Sequence, residues 1–502
     1  MKEVKEAMKF LEKFPDLMAF LDPILRKIPM VEKIIEDETK SVLSEIGPSL
    51  KPYKDKFENH AMLPAKGIER KAILDDLKKM HDLESDRWQE GYVSGGIYHG
   101  DKEHIDFLNQ VYALHSQTNP LHSDLFPGIL KCETEVISMT SNMLSGNRAA
   151  EMDICGSVTS GGTESILLAM KTYRDRARVE KGITAPEMVL PITAHTAFDK
   201  AAEYFNIKIR RLPLDKNFRA DVNELRKNIN RNTIVVVGSA PNFPHGVIDP
   251  IEAMSEIARL KGVGFHTDCC LGGFVLPFAE KLGYSIPPFD FRLPGVTSMS
   301  ADTHKFGYAA KGTSIVMYRG AKLRKHQFFA VSDWPGGLYF SPTLSGSRPG
   351  GLSAAAWAAM LSIGEDGYLK NVSSIMKTAE ALREGIKKIP GLKLIGDPTW
   401  IIAFASDEFD IYRVYDRMAE KHWNLNGLHR PACVHICVTL RHTQAGVTDR
   451  FLTDLGEAVE HVRSSPAESG GWAPIYGMAG SIPVRSTVRD LLRSYLDLLF
   501  RV

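Results

Sequence analysis

The sequence predicts an α/β protein in which a large, mostly parallel sheet covered by helices precedes a smaller α/β domain. Between residues 130 and 366, short apolar stretches alternate with amphipathic ones, an order typical of parallel strands with helices on both faces. From residue 390 the alternation continues with shorter strands. We therefore divide the chain into a helical arm (1–90), a large domain (91–366) and a small domain (367–502).

Composition is that of an ordinary soluble protein. The chain has 502 residues, of which 44% are hydrophobic and 25% charged, with a net charge of +1. This is enough to form a large core, and the near-zero charge argues against nucleic acid as a partner. The six cysteines lack metal-site spacing and predict reduced thiols in a cytoplasmic protein. No apolar stretch of about twenty residues and no signal-peptide pattern occurs.

The first 47 residues are expected to form two amphipathic helices. Apolar residues recur at helical spacing from Phe10 to Leu21 and again from Ile28 to Ile35. One interpretation is an arm that packs on a partner subunit. The other is peripheral contact with a membrane surface, to which the interspersed acidic residues are poorly suited. Another charged helix is expected at about residues 67–83.

Periodicity and turn residues place the remaining elements. In the large domain, strands are expected at 188–192, 207–212, 233–238, 264–267, 295–300 and 313–318. Helices are expected at 164–178, 198–205, 222–228 and 251–260, followed by an alanine-rich helix at 352–364 and a long one at 367–388. In the small domain, strands are expected at 392–395, 400–405 and 434–439, and helices at 408–421, 447–463 and from 483 onwards.

Two polar segments at residues 92–100 and 119–128 are expected to be loops, because glycine, proline and asparagine are frequent in them. They contain Tyr98 and His122. Loops rich in tyrosine, histidine and asparagine commonly line functional sites.

Lys305 lies in a polar turn between two of the expected strands. At the edge of a sheet its ammonium would be partly desolvated, which lowers the pKa of an amine and makes it a nucleophile towards carbonyl groups. A plain surface lysine is the alternative interpretation.

A glycine-rich segment, Thr159-Ser-Gly-Gly-Thr-Glu-Ser165, precedes an apolar helix. Glycine lets the backbone approach a phosphate, and the free N–H groups at a helix start bind its charge. Gly161, Gly162 and Thr163 are therefore candidate phosphate ligands, although many helices begin in this way without binding anything.

His195 and Asp268 each follow an expected strand. An imidazole at this edge can stack on a cofactor ring, and a carboxylate can pair with a protonated pyridine nitrogen. Alternatively, both residues cap helices. The phosphate loop, His195, Asp268 and Lys305 appear in one order, each at a strand end, and together they predict a pyridoxal 5'-phosphate site with Lys305 as its Schiff-base residue.

Longer segments resemble the sphingosine-1-phosphate lyase family of fold-type I pyridoxal phosphate enzymes, which is related to the group II decarboxylases. The likeness is strongest at 239–250, 266–274, 298–308, 333–337 and 341–351. It implies the fold-type I pyridoxal phosphate-dependent transferase fold and a homodimer with shared sites, in which Ser347 reaches the cofactor phosphate of the partner subunit. It also implies that the following residues surround the substrate: Tyr98, His122, Lys311 and Tyr476. The candidates for proton transfer are Lys305, Tyr98 and His304.

The resemblance implies cleavage of the C2–C3 bond of a phosphorylated sphingoid base, which yields a long-chain aldehyde and phosphoethanolamine. One alternative is a pyridoxal phosphate-dependent amino-acid decarboxylase, which needs no second phosphate pocket. Another is a non-catalytic binding or scaffold protein of the same fold. Because eukaryotic members carry a transmembrane anchor and no such stretch occurs here, we expect a cytoplasmic protein, with a longer membrane-associated form as the alternative.

Overall fold

A computed structural model describes residues 51–145, 153–465 and 485–500, together with Ile28, Pro29 and Lys33. Nearly all of the expected N-terminal helices therefore lie outside the described residues. The chain divides into two compact units: one comprises 1–86, 427–432 and 465–502, and the other comprises 87–426 and 433–464. The division at residues 90 and 366 remains a prediction.

The larger unit contains a seven-stranded sheet. Its strands are β1 (Ile154–Thr159), β2 (Glu187–Pro191), β3 (Lys208–Leu212), β4 (Thr233–Ser239), β5 (Gly264–Asp268), β6 (Ser298–Ala301) and β7 (Ser314–Arg319). They lie in the order β1-β7-β6-β5-β4-β2-β3. The pairs from β6 to β3 are parallel, and only β7 runs antiparallel to its neighbours. The expected mostly parallel sheet is confirmed.

Helices precede, separate and follow these strands along the chain. Those up to the end of the sheet are α1 (Arg70–Gln89), α2 (Lys102–His115), α3 (Pro127–Met143), α4 (Gly162–Lys181), α5 (Ala197–Phe205), α6 (Val222–Asn228), α7 (Ile251–Leu260), α8 (Leu276–Lys281) and α9 (Ala321–Arg324). The later ones are α10 (Gly350–Lys388), α11 (Ile411–Glu420), α12 (Val447–Ser464) and α13 (Arg485–Leu499). Gly364 interrupts α10 with φ 61° and ψ 176°, close to the expected boundary between two helices.

The central strands are buried along their whole length, as continuous apolar sequences in parallel sheets usually are. Every residue of β4 and β5 is buried. On one face α4 contributes Tyr173, whose hydroxyl lies 2.7 Å from the hydroxyls of both Thr297 and Ser298. A side chain at Gly264 would lie 2.2 Å from the Tyr173 ring, so glycine is needed there for helix and sheet to meet.

The chain after the large sheet forms shorter strands. They are the hairpin strands β8 (Phe329–Val331) and β9 (Tyr339–Ser341), then β10 (Lys393–Leu394), β11 (Ile401–Ala405), β12 (Asn426–Leu428) and β13 (Cys433–Cys437). β10, β11 and β13 are antiparallel neighbours.

The sequence analysis did not predict β1, because Gly156 and Ser157 interrupt the strand-forming residues Ile, Val and Thr of its Ile-Cys-Gly-Ser-Val-Thr stretch. Tertiary contact explains why it is a strand. A Cβ at Gly156 would lie 2.5 Å from the carbonyl oxygen of Val316, so the glycine allows β1 to approach β7 closely. The helices α2 and α3 and the hairpin β8–β9 were also not predicted.

All six cysteines are free thiols. In the part of the chain that the structure describes, no helix has both the length and the apolar character needed to cross a membrane.

Candidate active site

Lys305 lies on the connection between β6 and β7, where the parallel strands end. Its Nζ is 2.9 Å from Oδ2 of Asp302. The turn is closed by backbone bonds from Lys305 N to Asp302 O (3.2 Å) and from Tyr308 N to Lys305 O (3.0 Å). The side chain faces a cavity of about 470 Å³.

The pKa of Lys305 differs from the expectation. Burial, the largest single effect, lowers the pKa of the amine, but the charge and hydrogen bond of Asp302, together with Cys270 and Tyr98, raise it, and the pKa lies above the usual value overall. The prediction of a lowered pKa was wrong, because burial was considered without a carboxylate only three residues away. Burial likewise raises the pKa of Asp302, but the neighbouring Lys305 and His304 lower it overall. The two residues form an ion pair.

The cavity collects residues from distant parts of the sequence. The predicted site residues that line it are Tyr98, Gly161, Gly162, Thr163, His195, Asp268, His304 and Lys305. Among lining residues that were not predicted are Asp302, Cys270 and Phe243. All three lie inside the sequence segments that carry the family resemblance, which is the signal that could have identified them as candidate site residues.

The phosphate loop joins β1 to α4. Ser160 N donates to Glu164 Oε2 at 2.6 Å, and the hydroxyls of Thr159 and Ser165 lie 2.7 Å apart. Glu164 also accepts from Leu344 N at 2.8 Å. This carboxylate therefore fastens the loop to a distant segment, a role that sequence reasoning missed.

Space at the loop is restricted. A Cβ at Gly162 would lie 2.7 Å from both carboxylate oxygens of Asp302 and 2.9 Å from Cys270 Sγ. The backbone can approach Asp302 only because this residue is glycine. The N–H groups at the start of α4 lie at the cavity wall, where the helix dipole favours an anion.

Asp268 is the last residue of β5 and is 7% exposed. Its Oδ1 accepts hydrogen bonds from Cys270 N (3.0 Å) and Ser300 Oγ (3.3 Å). Its Oδ2 accepts none from the described residues, so it is available to a cationic donor in the cavity. His195 is exposed at the end of β2, and its Nδ1 accepts from Ala197 N at 3.1 Å.

These features fit pyridoxal 5'-phosphate. An amine, a carboxylate with a free oxygen and a helix start line one cavity, which matches the aldehyde, the ring nitrogen and the phosphate of that cofactor. In addition, Asp302 Oδ1 is buried without a hydrogen-bond partner among the described residues, so the polar wall is incomplete without a further group.

Tyr98 and His304 line the cavity next to Lys305, and Lys311 lies beside Tyr98 without lining it. Lys311 Nζ lies 4.4 Å from the centre of the Tyr98 ring and donates to Gly96 O at 2.6 Å. Burial, followed by the charge of Lys305, lowers the pKa of Lys311 to about 8. Burial raises the pKa of the Tyr98 hydroxyl above its usual value.

His304 has its ring orientation set by the backbone. Its Nδ1 accepts from Thr313 N at 3.2 Å, so in the neutral ring the proton is on Nε2. Nε2 lies 3.6 Å from Asp302 Oδ2. Burial lowers the pKa of His304, which favours this neutral form.

Four predicted site residues are not among those that line the cavity of this chain. His122, Ser347 and Lys311 are exposed and do not line it. Asn119, three residues before His122, donates to Ser347 Oγ at 3.0 Å, so His122 and Ser347 belong to neighbouring segments. Tyr476 lies outside the described residues.

Comparison with known proteins places the chain among close relatives. The family described as pyridoxal-dependent decarboxylase conserved domain matches residues 53–404. A sphingosine-1-phosphate lyase of Arabidopsis thaliana is 50% identical over 490 residues, covering 96% of this chain and 88% of that protein. Sphingosine-1-phosphate lyase 1 of Rattus norvegicus is 45% identical, covering 95% of this chain and 84% of the relative.

Solved structures agree with these relatives. A sphingosine-1-phosphate lyase of Burkholderia pseudomallei is 44% identical and has a TM-score of 0.83, covering 90% of this chain and 99% of that one. A glutamate decarboxylase of Lactobacillus brevis is 20% identical, with a TM-score of 0.69 over 81% of this chain and 96% of that one. The second likeness concerns the fold alone.

Proposed function

Because the chain belongs to the sphingosine-1-phosphate lyases within the pyridoxal-dependent decarboxylase family, we propose that it cleaves phosphorylated sphingoid bases between C2 and C3. The products are a long-chain aldehyde and phosphoethanolamine. The observation that carries the proposal is identity of 40–50% with lyases over nearly the whole chain, combined with one cavity that joins Lys305, Asp268 and the start of α4.

Pyridoxal 5'-phosphate, when bound, withdraws electrons from the substrate carbon that carries the amine and so weakens the bonds to that carbon. Lys305 would provide the amine to which the cofactor attaches. The free oxygen of Asp268 would accept a hydrogen bond from the protonated ring nitrogen, and its negative charge would keep that nitrogen cationic. Gly161, Gly162 and Thr163 would hold the phosphate, and His195 would lie against the ring.

Lys305, Tyr98 and His304 are the proposed groups for proton transfer. C2–C3 cleavage requires a base to remove the proton of the substrate 3-hydroxyl, and a donor must then protonate the remaining carbon. Lys305 carries a proton in its ion pair with Asp302, so in this state it is a proton donor and becomes a base only after losing that proton. Tyr98 keeps its hydroxyl proton, and the neutral ring of His304 carries its proton on Nε2. All three candidates therefore hold a proton before substrate binds, and we propose them together as the groups that serve the two transfers.

Lys311 provides positive charge for the substrate phosphate. It is fixed above the Tyr98 ring and, with a pKa of about 8, is mostly cationic at neutral pH. A phosphate-binding lysine at this position favours a lyase over an amino-acid decarboxylase, whose substrate carries no phosphate.

We also propose that the enzyme is a homodimer with shared sites. His122 and Ser347 are exposed and outside the cavity of their own chain, a position from which they can contact a partner subunit. Apolar side chains are exposed nearby along residues 328–344, including Trp334 at 54% and Phe340 at 66%. A surface of this kind commonly marks a protein interface.

A cytoplasmic location is proposed as well, since the six free thiols suit a reducing compartment. Residues 1–47 are the part of the chain that we propose for peripheral membrane contact. Flotation with liposomes of the full chain and of a chain lacking these residues tests that contact.

Product analysis tests the lyase function. The cofactor-loaded protein is incubated with sphingosine 1-phosphate, and both products are measured by mass spectrometry. Equal amounts of aldehyde and phosphoethanolamine are expected, with none from Lys305→Ala. No carbon dioxide is expected from glutamate or aromatic amino acids. A visibly cofactor-bound protein that yields neither product would contradict the proposal for this substrate.

Subunit complementation tests the shared sites. Lys305→Ala and Ser347→Ala are each expected to lack most activity as pure proteins. If sites are shared, a mixed dimer regains one intact site, so unfolding and refolding the two together restores part of the activity. A monomer by light scattering, or no recovery from a mixture shown to contain mixed dimers, would exclude shared sites.

A further inference from the structure

Two histidines stack beside the site without lining it. The rings of His99 and His104 have centroids 4.1 Å apart and an angle of 24° between their planes. His99 directly follows Tyr98, and His104 lies in the first turn of α2. The ring of His104 also reaches the turn after Lys305, where its Nε2 is 2.7 Å from the carbonyl oxygen of Tyr308.

Hydrogen bonds define the protonation of both rings. A carbonyl oxygen only accepts, so His104 Nε2 carries a proton and donates it to Tyr308. His99 Nδ1 accepts from Asp101 N at 3.4 Å, which places the proton of the neutral ring on Nε2. Two charged rings at this separation would repel each other.

Burial and the neighbouring groups favour the neutral form of His99. Burial, and then the neighbouring His104, lowers the pKa of His99 to about 4; Arg441 acts in the same direction and Asp101 in the opposite one. Asp101 also accepts from His104 N at 3.1 Å and thereby caps α2. The remaining neighbour is the Tyr308 ring, edge-on to His99 at 5.1 Å. His99 is therefore uncharged at neutral pH and does not repel the ring stacked on it.

The turn after Lys305 depends on such outside contacts. Tyr308 has φ 60°, a left-handed conformation that is strained for a tyrosine. Its hydroxyl is buried and finds no hydrogen-bond partner among the described residues. On its other side the Tyr308 ring stacks on Tyr368 at 5.8 Å. A strained residue keeps its conformation only when its surroundings hold it.

We propose that His104 is a positioning residue for the lyase reaction. Through the bond to Tyr308 O and the stack on His99, it fixes the segment that bears Tyr98 relative to the turn that bears Lys305. The inference rests on the proposed function for its catalytic consequence, but the positioning itself is a property of the protein alone.

Other contacts between the two segments limit the expected effect. Tyr98 also meets Phe306 edge-on at 4.8 Å, and Lys311 bonds to Gly96 O. Loss of His104 should therefore displace Tyr98 slightly without separating the segments. A small misplacement of a reacting group lowers the turnover rate more than it weakens substrate binding.

The test compares three variants of the purified protein. His104→Leu removes the donor but keeps bulk, whereas His104→Gln retains an N–H group that can reach Tyr308 O. His115→Leu makes the same change as the first variant in the last turn of the same helix. Hydrogen exchange of residues 92–100 and 302–311 is measured by mass spectrometry, together with kcat and KM.

Faster exchange in both segments and a kcat lowered about tenfold, with KM nearly unchanged, are expected for His104→Leu alone. His104→Gln should restore both quantities, and His115→Leu should resemble the unaltered protein. The proposal would be overturned if hydrogen exchange in His104→Leu were as slow as in the unaltered protein. It would also be overturned if His104→Gln were as impaired as His104→Leu.

A fourth variant, His104→Asn, keeps the proposal testable if His104→Leu folds poorly. His104→Asn keeps a polar side chain that is too short to reach Tyr308 O, and the same two outcomes apply to it. Because exchange needs no substrate, a protein without lyase activity would contradict the proposed function while the exchange comparison still decides the positioning role.

Discussion

Lys305 Nζ lies 2.9 Å from the carboxylate of Asp302, three residues earlier on the same turn. The Asp302 side chain is 1% exposed and that of Lys305 is 21% exposed. Each group reduces the cost of burying the other's charge. In the protein without cofactor, the pair thus keeps the amine charged in the cavity wall.

Removing Lys305 should destabilise the protein at neutral pH, because Asp302 would remain buried without a partner. We expect Lys305→Ala, free of cofactor, to lose about 2 to 4 kcal/mol of unfolding free energy. Without Lys305, burial dominates and raises the pKa of Asp302 above its unfolded value. The deficit should therefore shrink as the pH falls and the carboxyl takes up a proton. Urea unfolding at pH 7.5 and pH 5 measures both effects.

The double variant Lys305→Ala, Asp302→Asn should regain most of that loss at neutral pH. Lys281→Ala is the matched control, since its partner Glu365 and Lys281 itself are both more than half exposed, at 61% and 52%, and exposed pairs contribute little. A deficit equal in the single and double variants would show that the buried charge is not its cause.

The titration of Lys311 should cause kcat/KM to fall at high pH. Its pKa of about 8 means that the free enzyme loses this cation as the pH rises through that value, so kcat/KM should fall above pH 8. Lys311→Arg should remove the fall. Lys311→Gln should lower kcat/KM about tenfold or more at pH 7, because a charge-assisted bond to phosphate is lost.

Lys322→Gln, at an exposed lysine, is the control and should retain the pH profile of the unaltered enzyme. An unchanged basic limb in Lys311→Arg would assign the titration to another group.

Gly162→Ala should weaken cofactor binding. The added Cβ would lie 2.7 Å from both oxygens of Asp302, and the loop must move away from the position in which it holds a phosphate. We expect the Kd for pyridoxal phosphate to rise about tenfold or more, since several bonds to a charged group are lost. Absorbance titration of the cofactor-free protein measures it.

Gly182→Ala is a matched change at the other end of α4, where φ is 64° and no atom lies within 4 Å of the added Cβ. It should lower stability by about 1 kcal/mol through backbone strain and leave cofactor affinity unaltered. Equal loss of affinity in both variants would indicate general damage to α4.

His266 should make the protein less stable in mild acid. Its ring is fully buried between the hydroxyls of Ser298 (2.7 Å) and Ser300 (3.2 Å), and burial lowers its pKa to about 4. In the unfolded chain, where a histidine has a pKa of about 6.5, His266 binds a proton below that pH, whereas in the folded protein it stays neutral. Stability is therefore complete above about pH 6.5 and declines below it, by up to about 3 kcal/mol at pH 4.

Urea unfolding between pH 7.5 and 5 tests this decline. His266→Asn should be less stable at pH 7.5 but should lose less on acidification, whereas the exposed His81→Asn should follow the unaltered protein. An equally steep decline in His266→Asn would assign the acid sensitivity to other buried groups.

Local sequence patterns were sufficient for most of the large sheet and for its order along the chain. β2 to β7 begin and end within three residues of the expected strands, and α6 and α7 match their expected bounds. An apolar run that ends at glycine or polar residues can be recognised from a few neighbouring residues, so these elements could be predicted without knowing the fold. For the same reason Lys305, Asp268 and His195 could be placed at strand ends, since each lies within a few residues of the end of an expected strand.

Contacts between distant residues could not be read in this way. β1 is a strand because Gly156 allows close approach to β7, and Glu164 matters because it reaches Leu344. The raised pKa of Lys305 depends on the rotation of one turn, which points Asp302 at the amine.

The sequence alone determined the fold class, the family, the cofactor and the candidate residues, because each can be inferred from local patterns or motifs. The tertiary structure decided which of those residues share a cavity, which of them face outward, and how Asp302, Lys311 and the His99–His104 stack arrange charge and position around Lys305. The physical reason is that electrostatic and steric effects act over a few ångströms of space, irrespective of separation along the chain.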